Sequence, residues 1–322
     1  MSPLSTTPPH ITHTHTHTCF VSPQLFNDLV AVEGVDAIIN FVKTHPKLKQ
    51  SVRHAVVALR ALCSLKDYID IMVSKGVVDG FVSALRLNDK HFGICSASTG
   101  GLLEVSGTEA GAIAIARKGG TRQLINTLYN ISSLVDFEPA CLTALKAIEN
   151  VARRPIGCDT IRKQKGALAI IHCLRLKPQD QDIQRAGIAA LTQLFNSEHV
   201  KEAIERFNKI VAKGIDSQTD LGMVANNASL VGYIAQIGKH GKLVVELGGA
   251  DSLVKALRDV AKMSESDARD ECMDVIIDAL GTLVREENAA NRPTRYRVWM
   301  YLCLPVYVLS FCQFLYIHIC LG

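Results

Sequence analysis

The sequence has few aromatic residues and little net charge. Aromatics make up 6% of its 322 residues, and the formal net charge is only +4. Strands favour aromatic side chains, so this shortage argues against a β-rich fold. Nucleic-acid-binding proteins usually carry a pronounced basic excess, which is absent here. Since 48% of the residues are hydrophobic, the chain is also too apolar to be disordered. We therefore expect a mostly helical protein with aliphatic packing that does not bind nucleic acid.

Cysteine pairs of the CxxC type are also lacking, although the chain contains ten cysteines. This absence excludes zinc-knuckle and thioredoxin-type sites. Four of the cysteines lie inside aliphatic helical patterns, where a reduced thiol acts as a small hydrophobic group; they are Cys63, Cys141, Cys173 and Cys272. The N-terminus has no basic stretch followed by an apolar core, so no secretory signal is indicated. A cytoplasmic location is expected.

Catalytic motifs are missing as well. The sequence contains no HExxH, GxSxG or kinase-like HRD motif, and the glycines near Lys239 lack the frame of a phosphate-binding loop. The internal histidines have no Cys or Asp at ligand spacing. The sequence therefore predicts no enzymatic activity, no metal, no cofactor and no small-molecule substrate.

Charge divides the chain into three segments. Residues 1–23 contain no Asp, Glu, Lys or Arg and are rich in His and Thr. Residues 24–292 carry nearly all the charges, in amphipathic patterns. Residues 293–322 contain no acid, and residues 298–321 are uncharged and largely apolar. We expect a disordered leader, a folded array and a hydrophobic tail.

The middle segment repeats a short pattern in which a glycine ends one helix and an aliphatic amphipathic helix follows. The glycines are Gly34, Gly76, Gly119, Gly166, Gly214 and Gly248, separated by 42, 43, 47, 48 and 34 residues. A glycine suits the left-handed conformation that ends many helices. A second, alanine-rich helix then follows, for example at 140–152 and 186–194. A period in the forties with two or three helices is typical of armadillo or HEAT arrays.

The local sequences in two of these repeats resemble armadillo repeats. A glycine, an LIxxL-type helix, a polar turn and an A-[LI]-x-[NQ]-[LV] helix occur in order across residues 118–152 and 165–195. The resemblance extends over about six repeats in residues 24–292, of which the first and fifth are the least regular, and a HEAT-like array is the alternative. It implies an all-α, right-handed α-solenoid in which each repeat buries its apolar stripe against its neighbours.

The resemblance also implies a binding surface. In armadillo proteins the last helix of each repeat lines a concave groove that holds an extended peptide or a helix of a partner protein. Nuclear-import adaptors typically carry a row of Asn and Trp in this groove, and β-catenin carries a long row of basic residues. Both rows are missing here: Asn150 is the one clear match, and the repeats contain no Trp. Aligning the last helices gives four candidate groove residues: Glu104, Asn150, Gln193 and Tyr233.

A local cluster of basic residues is a second candidate site. It could bind an acidic peptide or a phosphate group, or it could be a solvated junction between repeats. Its members are Arg153, Arg154, Arg162, Lys163 and Lys165.

The two ends of the chain allow alternative readings. His10, His13, His15 and His17 in the leader could bind a transition metal only weakly, and the His–Thr alternation is also what a translated dinucleotide repeat would encode. The 24 residues 298–321 are long enough to span a bilayer. The tail could therefore anchor a membrane adaptor that faces the cytosol, cap the array, or be translated intron. The whole sequence could also be a fragment of a larger cytoskeletal or trafficking protein.

Overall fold

The expected all-helical class is confirmed for the part of the chain that the structure describes. A computed structural model describes residues 22–131, 136–237 and 240–290. These residues form α-helices and one short 3₁₀ turn, and they include no strand. The helices are α1 Pro23–Ala31, α2 Gly34–Thr44, α3 Lys49–Cys63, α4 Ile69–Ser74, α5 Val77–Leu87, α6 Phe92–Ser106, α7 Glu109–Arg117, α8 Gly120–Ile131, α9 Glu138–Ala152, α10 Pro155–Lys163, α11 Gly166–Leu176, α12 Gln181–Leu194, α13 Ser197–Ala212, α14 Leu221–Gln236, α15 Gly241–Glu246, α16 Gly249–Ala261 and α17 Asp267–Ala290.

Several helices begin at a polar side chain that caps the first turn. The Leu25 amide donates to Ser22 Oγ at 3.2 Å, and the Gly111 amide donates to Thr108 Oγ1 at 3.1 Å. Asp180, Asn196 and Asp220 accept backbone amide hydrogens at the starts of α12, α13 and α14. Short polar side chains at this position satisfy amides that have no partner within the helix. These caps fix where successive helices begin and so set the lengths of the helices between them.

The glycines at the helix junctions serve two separate purposes, and the sequence prediction identified only one. Gly76, Gly119, Gly214 and Gly248 have positive φ angles, as expected. Gly34 and Gly166 do not, because the residue before each of them adopts the left-handed conformation instead. A Cβ on Gly166 would lie 2.3 Å from Cγ2 of Ile161. At Gly166 glycine is needed because the preceding helix passes too close for a side chain, whereas a Cβ on Gly34 would lie 3.1 Å from the Leu29 oxygen, a tight contact. The assignment of the left-handed residue was wrong at both junctions.

The contacts between helices follow a pattern that repeats every third helix. The long helices α3, α6, α9 and α12 pack side by side in one row, and α2, α5, α8 and α11 form a second row. The shorter helices form a third row, in which α4 packs against α7 and α7 packs against α10. Helices three positions apart in the chain are therefore neighbours, an arrangement compatible with an α-solenoid.

Ion pairs between successive groups of helices keep the same spacing. Lys75 Nζ lies 2.7 Å from Asp36 Oδ2, and Lys118 Nζ lies 2.7 Å from Asp79 Oδ2. Lys75 and Lys118 directly follow the short helices α4 and α7, and Asp36 and Asp79 lie in the first turns of α2 and α5. Each pair therefore joins one group of three consecutive helices to the group before it. Both pairs join residues 39 positions apart, so the groups are stacked in the same register at these two junctions.

The region after α12 breaks the pattern. Gly214 ends α13 with a φ of 87°, but no helix follows within the next six residues. Ile215 is followed by polar residues, and the Gln218 amide donates to Asp216 Oδ1 at 3.0 Å in a tight turn that leads to α14. The helix that would continue the row of α2, α5, α8 and α11 is therefore missing here. As a result α11 packs directly against α14, and α14 packs against α17.

Aliphatic side chains make up most of the core, in agreement with the low aromatic content. Among the described residues, the largest fully buried side chains include three phenylalanines, and the others are Leu, Ile and Met. Small residues bring helices close together: a Cβ on Gly101 of α6 would lie 2.2 Å from Cζ of Phe81 on α5. Close packing of this kind leaves no room for larger side chains.

Candidate partner-binding surface

The row formed by α3, α6, α9 and α12 presents one side to solvent, and we call it the third-helix face. Polar side chains link its helices at the edges of this surface. Thr99 Oγ1 of α6 and Thr143 Oγ1 of α9 are 2.6 Å apart. Asn150 Nδ2 of α9 donates to Ser106 Oγ of α6 at 3.0 Å. Both links span 44 residues, so the face is held in register by hydrogen bonds as well as by apolar packing.

Three of the four groove residues predicted from the sequence lie on the continuous row. Glu104 on α6 and Asn150 on α9 are half-buried, whereas Gln193 at the end of α12 is exposed. The amide nitrogen of Asn150 is already engaged by Ser106, which leaves its Oδ1 oxygen as the group available to accept a hydrogen bond. The structure thus places these residues on successive helices, each with a polar group that a partner could contact.

The fourth predicted residue, Tyr233, lies on α14, beyond the break. Its side chain is half-buried and packs against the core. Burial, helped by the negative charge of Asp278, raises the pKa of Tyr233 to about 12. The hydroxyl therefore stays protonated at neutral pH and is able to donate a hydrogen bond. Tyr233 therefore lies off the continuous row that carries the other three residues.

Two arginines that the sequence prediction did not include among the groove residues also lie on the third-helix face. Arg53 and Arg60 of α3 pass across glycines of α6: a Cβ on Gly93 would lie 2.7 Å from Arg53 Nε, and a Cβ on Gly100 would lie 2.6 Å from Arg60 Cζ. Neither arginine forms an ion pair within the described residues. The sequence contains a signal for this contact, because Arg53 and Arg60 are seven residues apart and Gly93 and Gly100 are also seven residues apart.

The predicted basic cluster is largely neutralised by acids. Arg153 Nη2 lies 2.7 Å from Glu149 Oε1, and Arg162 Nη2 lies 3.0 Å from Glu202 Oε2. Arg154 lies 4.0 Å from Glu109. Lys163 and Lys165 are exposed and form no ion pair among the described residues. The structure thus leaves two free positive charges where the sequence placed five, which weakens the attraction for an acidic partner.

A polar bridge that the sequence did not indicate crosses the break in the array. Arg175 at the end of α11 donates to Asn226 Oδ1 of α14 at 2.8 Å and forms an ion pair with Glu271 of α17. Burial and the positive charge of Arg175 lower the pKa of neighbouring His172. The missing middle helix brings these elements together, and no local motif could have predicted a pairing across 96 residues.

The described residues include a surface depression with a volume of about 360 Å³, lined by Asp216, Asp259 and Lys262 among others. Within that same portion of the chain, no cluster of three or more His, Cys, Asp or Glu side chains has the arrangement of a metal site. Burial raises the pKa of the Cys63 thiol, and raises that of Cys95 to about 12, so these two cysteines are poor nucleophiles.

The predictions for the two ends of the chain fall outside the described residues. Among helices within 22–131, 136–237 and 240–290, none combines the length and apolar character needed to cross a bilayer. The apolar segment 298–321, the leader 1–21 and its histidines are not part of those ranges. Comparison with protein-family models and with curated proteins finds no match for this chain.

Proposed function

We propose that the chain is an armadillo-type α-solenoid that acts as a protein-binding scaffold. In this proposal residues 24–292 form about six repeats in a right-handed superhelix, and the third-helix face is its concave groove. The stacking of α3, α6, α9 and α12 in one continuous row carries the proposal. A row of parallel helices creates an extended surface that a single compact domain does not provide.

The proposed ligand is an extended peptide or a helix from a partner protein. An extended peptide has unpaired backbone amides and carbonyls, which need polar partners when it leaves water. Glu104 and the free oxygen of Asn150 accept hydrogen bonds, whereas Gln193 both donates and accepts them. Arg53 and Arg60 add donors at the α3 end of the same surface, where they could contact carbonyls or acidic side chains.

The cytoplasm is the proposed location. Cys63, Cys95, Cys141, Cys158, Cys173 and Cys272 are all free thiols. Free cysteines in this number fit a reducing compartment. Membrane attachment through residues 298–321 stays the alternative, and it would leave the binding surface on the cytosolic side.

Affinity purification of the full chain with quantitative mass spectrometry tests the proposal. The variant Glu104→Ala/Asn150→Ala/Gln193→Ala removes polar groups of the third-helix face without emptying the core. We expect it to lose the partners recovered with the wild-type chain. Tyr233 is left unchanged in this test, because removing its half-buried ring would also disturb packing.

A matched control places substitutions on another surface. Arg122→Ala/Lys209→Ala alters two exposed residues of α8 and α13 and should keep the wild-type partners. Thermal unfolding of both variants checks that the fold is intact. Recovery of the same partners in the same yield by the groove variant and the control would show that the third-helix face does not bind them.

A further inference from the structure

The first helices of the array expose a face that later helices bury. Ala37 and Asn40 on α2 are exposed, and so are His54 and Ala58 on α3. We call these four residues the α2–α3 end face. The residues 43 positions later are all buried against the preceding helices; they are Gly80, Ser83, Ala97 and Gly101. The α2–α3 end face is therefore shaped to receive a helix pair, but within the described residues nothing covers it.

The last helices expose a second such face. Ala279 of α17 lies against Gly232 of α14, where a Cβ on Gly232 would be 3.0 Å from the Ala279 Cα. Ile277 and Val284 point to the other side of α17, because successive residues turn by about 100° around a helix. Both are only partly buried. With the exposed acids Asp251 and Asp274, they define the α16–α17 end face.

The charge around the α2–α3 end face is positive. From residue 37 to residue 66 the sequence has six Lys or Arg residues and no acid. None of the six forms an ion pair within the described residues. Lys43 lies in the last turn of α2, three residues after Asn40 and so on the same side of the helix. Lys47 follows in the loop to α3, and both lysines are exposed.

The charge on the α16–α17 end face is negative. Asp251 occupies the place in α16 that Asp36 and Asp79 occupy in α2 and α5, three residues after the left-handed residue. Those two acids each bind a lysine from the next group, whereas Asp251 has no ion-pair partner among the described residues. Asp274 on α17 is likewise exposed without an ion pair there. This face therefore offers acids in positions that elsewhere receive a base.

We infer that a second copy of this chain docks head to tail, with the α16–α17 end face of one copy against the α2–α3 end face of the next. Lys43 and Lys47 on one face are opposite in charge to Asp251 and Asp274 on the other, and the counterparts of the α2–α3 residues inside the array are buried. Because the two surfaces differ, the contact is heterologous, and repeated contacts give an open chain or a closed ring. This inference does not depend on what the third-helix face binds.

Sedimentation velocity of the full chain across a wide range of concentration tests the inference. We expect the average mass to rise with concentration at low ionic strength and to fall when salt is added, because salt screens charges at an exposed interface. Lys43→Glu/Lys47→Glu should weaken association by about tenfold or more, since like charges then face each other. Asp251→Lys/Asp274→Lys should do the same. Mixing these two variants should restore association, because acids again face bases at every contact.

The control is Lys163→Glu/Lys209→Glu, which changes the net charge by the same amount as the first variant. Both lysines are exposed, lie away from the end faces and form no ion pair among the described residues. Circular dichroism verifies that every variant is folded. A monomer at all concentrations would overturn the inference and would indicate that another segment of the same chain covers these faces. Association that persists unchanged in the charge-reversed variants would also overturn it.

Discussion

Gly101 on α6 is the position where a single methyl group should disturb the array most clearly. Its ideal Cβ would lie 2.2 Å from Cζ, 2.4 Å from Cε1 and 2.7 Å from Cε2 of Phe81. Carbon atoms that are not bonded prefer separations of about 3.5–4.0 Å, so the ring would have to withdraw by roughly 1 Å. Phe81 is fully buried, so its ring can withdraw only by displacing other core side chains. Overpacking of this kind costs about 1–3 kcal/mol.

The neighbouring Gly100 provides the matched control. A Cβ there would meet the end of the Arg60 side chain, with Cζ and Nε both at 2.6 Å. That side chain is long and partly solvated, so it can move aside at little cost. Both glycines lie inside α6, where Gly→Ala favours the helix by about 1 kcal/mol. This gain is common to both variants and cancels when they are compared.

We therefore expect Gly100→Ala to be as stable as the wild type or more stable, and Gly101→Ala to be less stable than Gly100→Ala by about 1–3 kcal/mol. Urea unfolding followed by circular dichroism measures the difference in the free energy of unfolding. Because a chain of many helices can unfold in steps, hydrogen exchange of the α5 and α6 amides should locate the loss at this contact. If Gly101→Ala were as stable as Gly100→Ala, the close approach of α6 to Phe81 would be refuted.

Three further predictions concern charges and thiols. The exposed Lys118–Asp79 pair should contribute less than about 1 kcal/mol to stability in a double-mutant cycle. A larger coupling energy would show that ion pairs such as Lys118–Asp79 are needed to hold the helices together. The pKa of His172 is lowered from 6.5 in the folded protein, so its neutral form favours the folded state at neutral pH. This contribution to stability is lost as the pH falls through the lowered pKa of the folded state. His172→Gln should therefore lose less stability than the wild type on mild acidification, as measured by thermal unfolding. Among the six described cysteines, Cys158 is the only one that is not fully buried, and peptide mapping after brief alkylation should find it modified first.

The helical class and the position of most helices could be predicted from the sequence because they depend on local signals. Apolar residues spaced by three and four, polar caps and junction glycines all act within one or two helical turns. The left-handed conformation at Gly76 and Gly248 was predicted correctly for this reason. At Gly34 and Gly166 the same local rule failed, because the residue before each glycine takes the left-handed conformation. At Gly166 the close approach of Ile161 is what requires glycine.

Features that depend on the stacking of distant helices were not predictable in the same way. The loss of a middle helix after Gly214 brings α11 against α14, and this contact sets the position of Arg175. Neutralisation of Arg162 depends on Glu202, 40 residues later. A cluster of like charges in the sequence says nothing about the acids that a neighbouring helix supplies. The ion pairs therefore reduce the free charge of the predicted basic cluster, whose role as a binding site stays a prediction.

The glycines of α6 link stability to recognition on the third-helix face. Gly93 and Gly100 lower the surface of α6 enough for Arg53 and Arg60 to lie across it, so each arginine rests on α6 before a partner arrives, although its end can still move. Holding a flexible side chain in place in advance reduces the entropy lost on binding. Filling Gly100 with a methyl group would strengthen the helix but release Arg60 from this position. Glycine at position 100 thus exchanges some helix stability for an arginine that rests on the surface proposed to bind a partner.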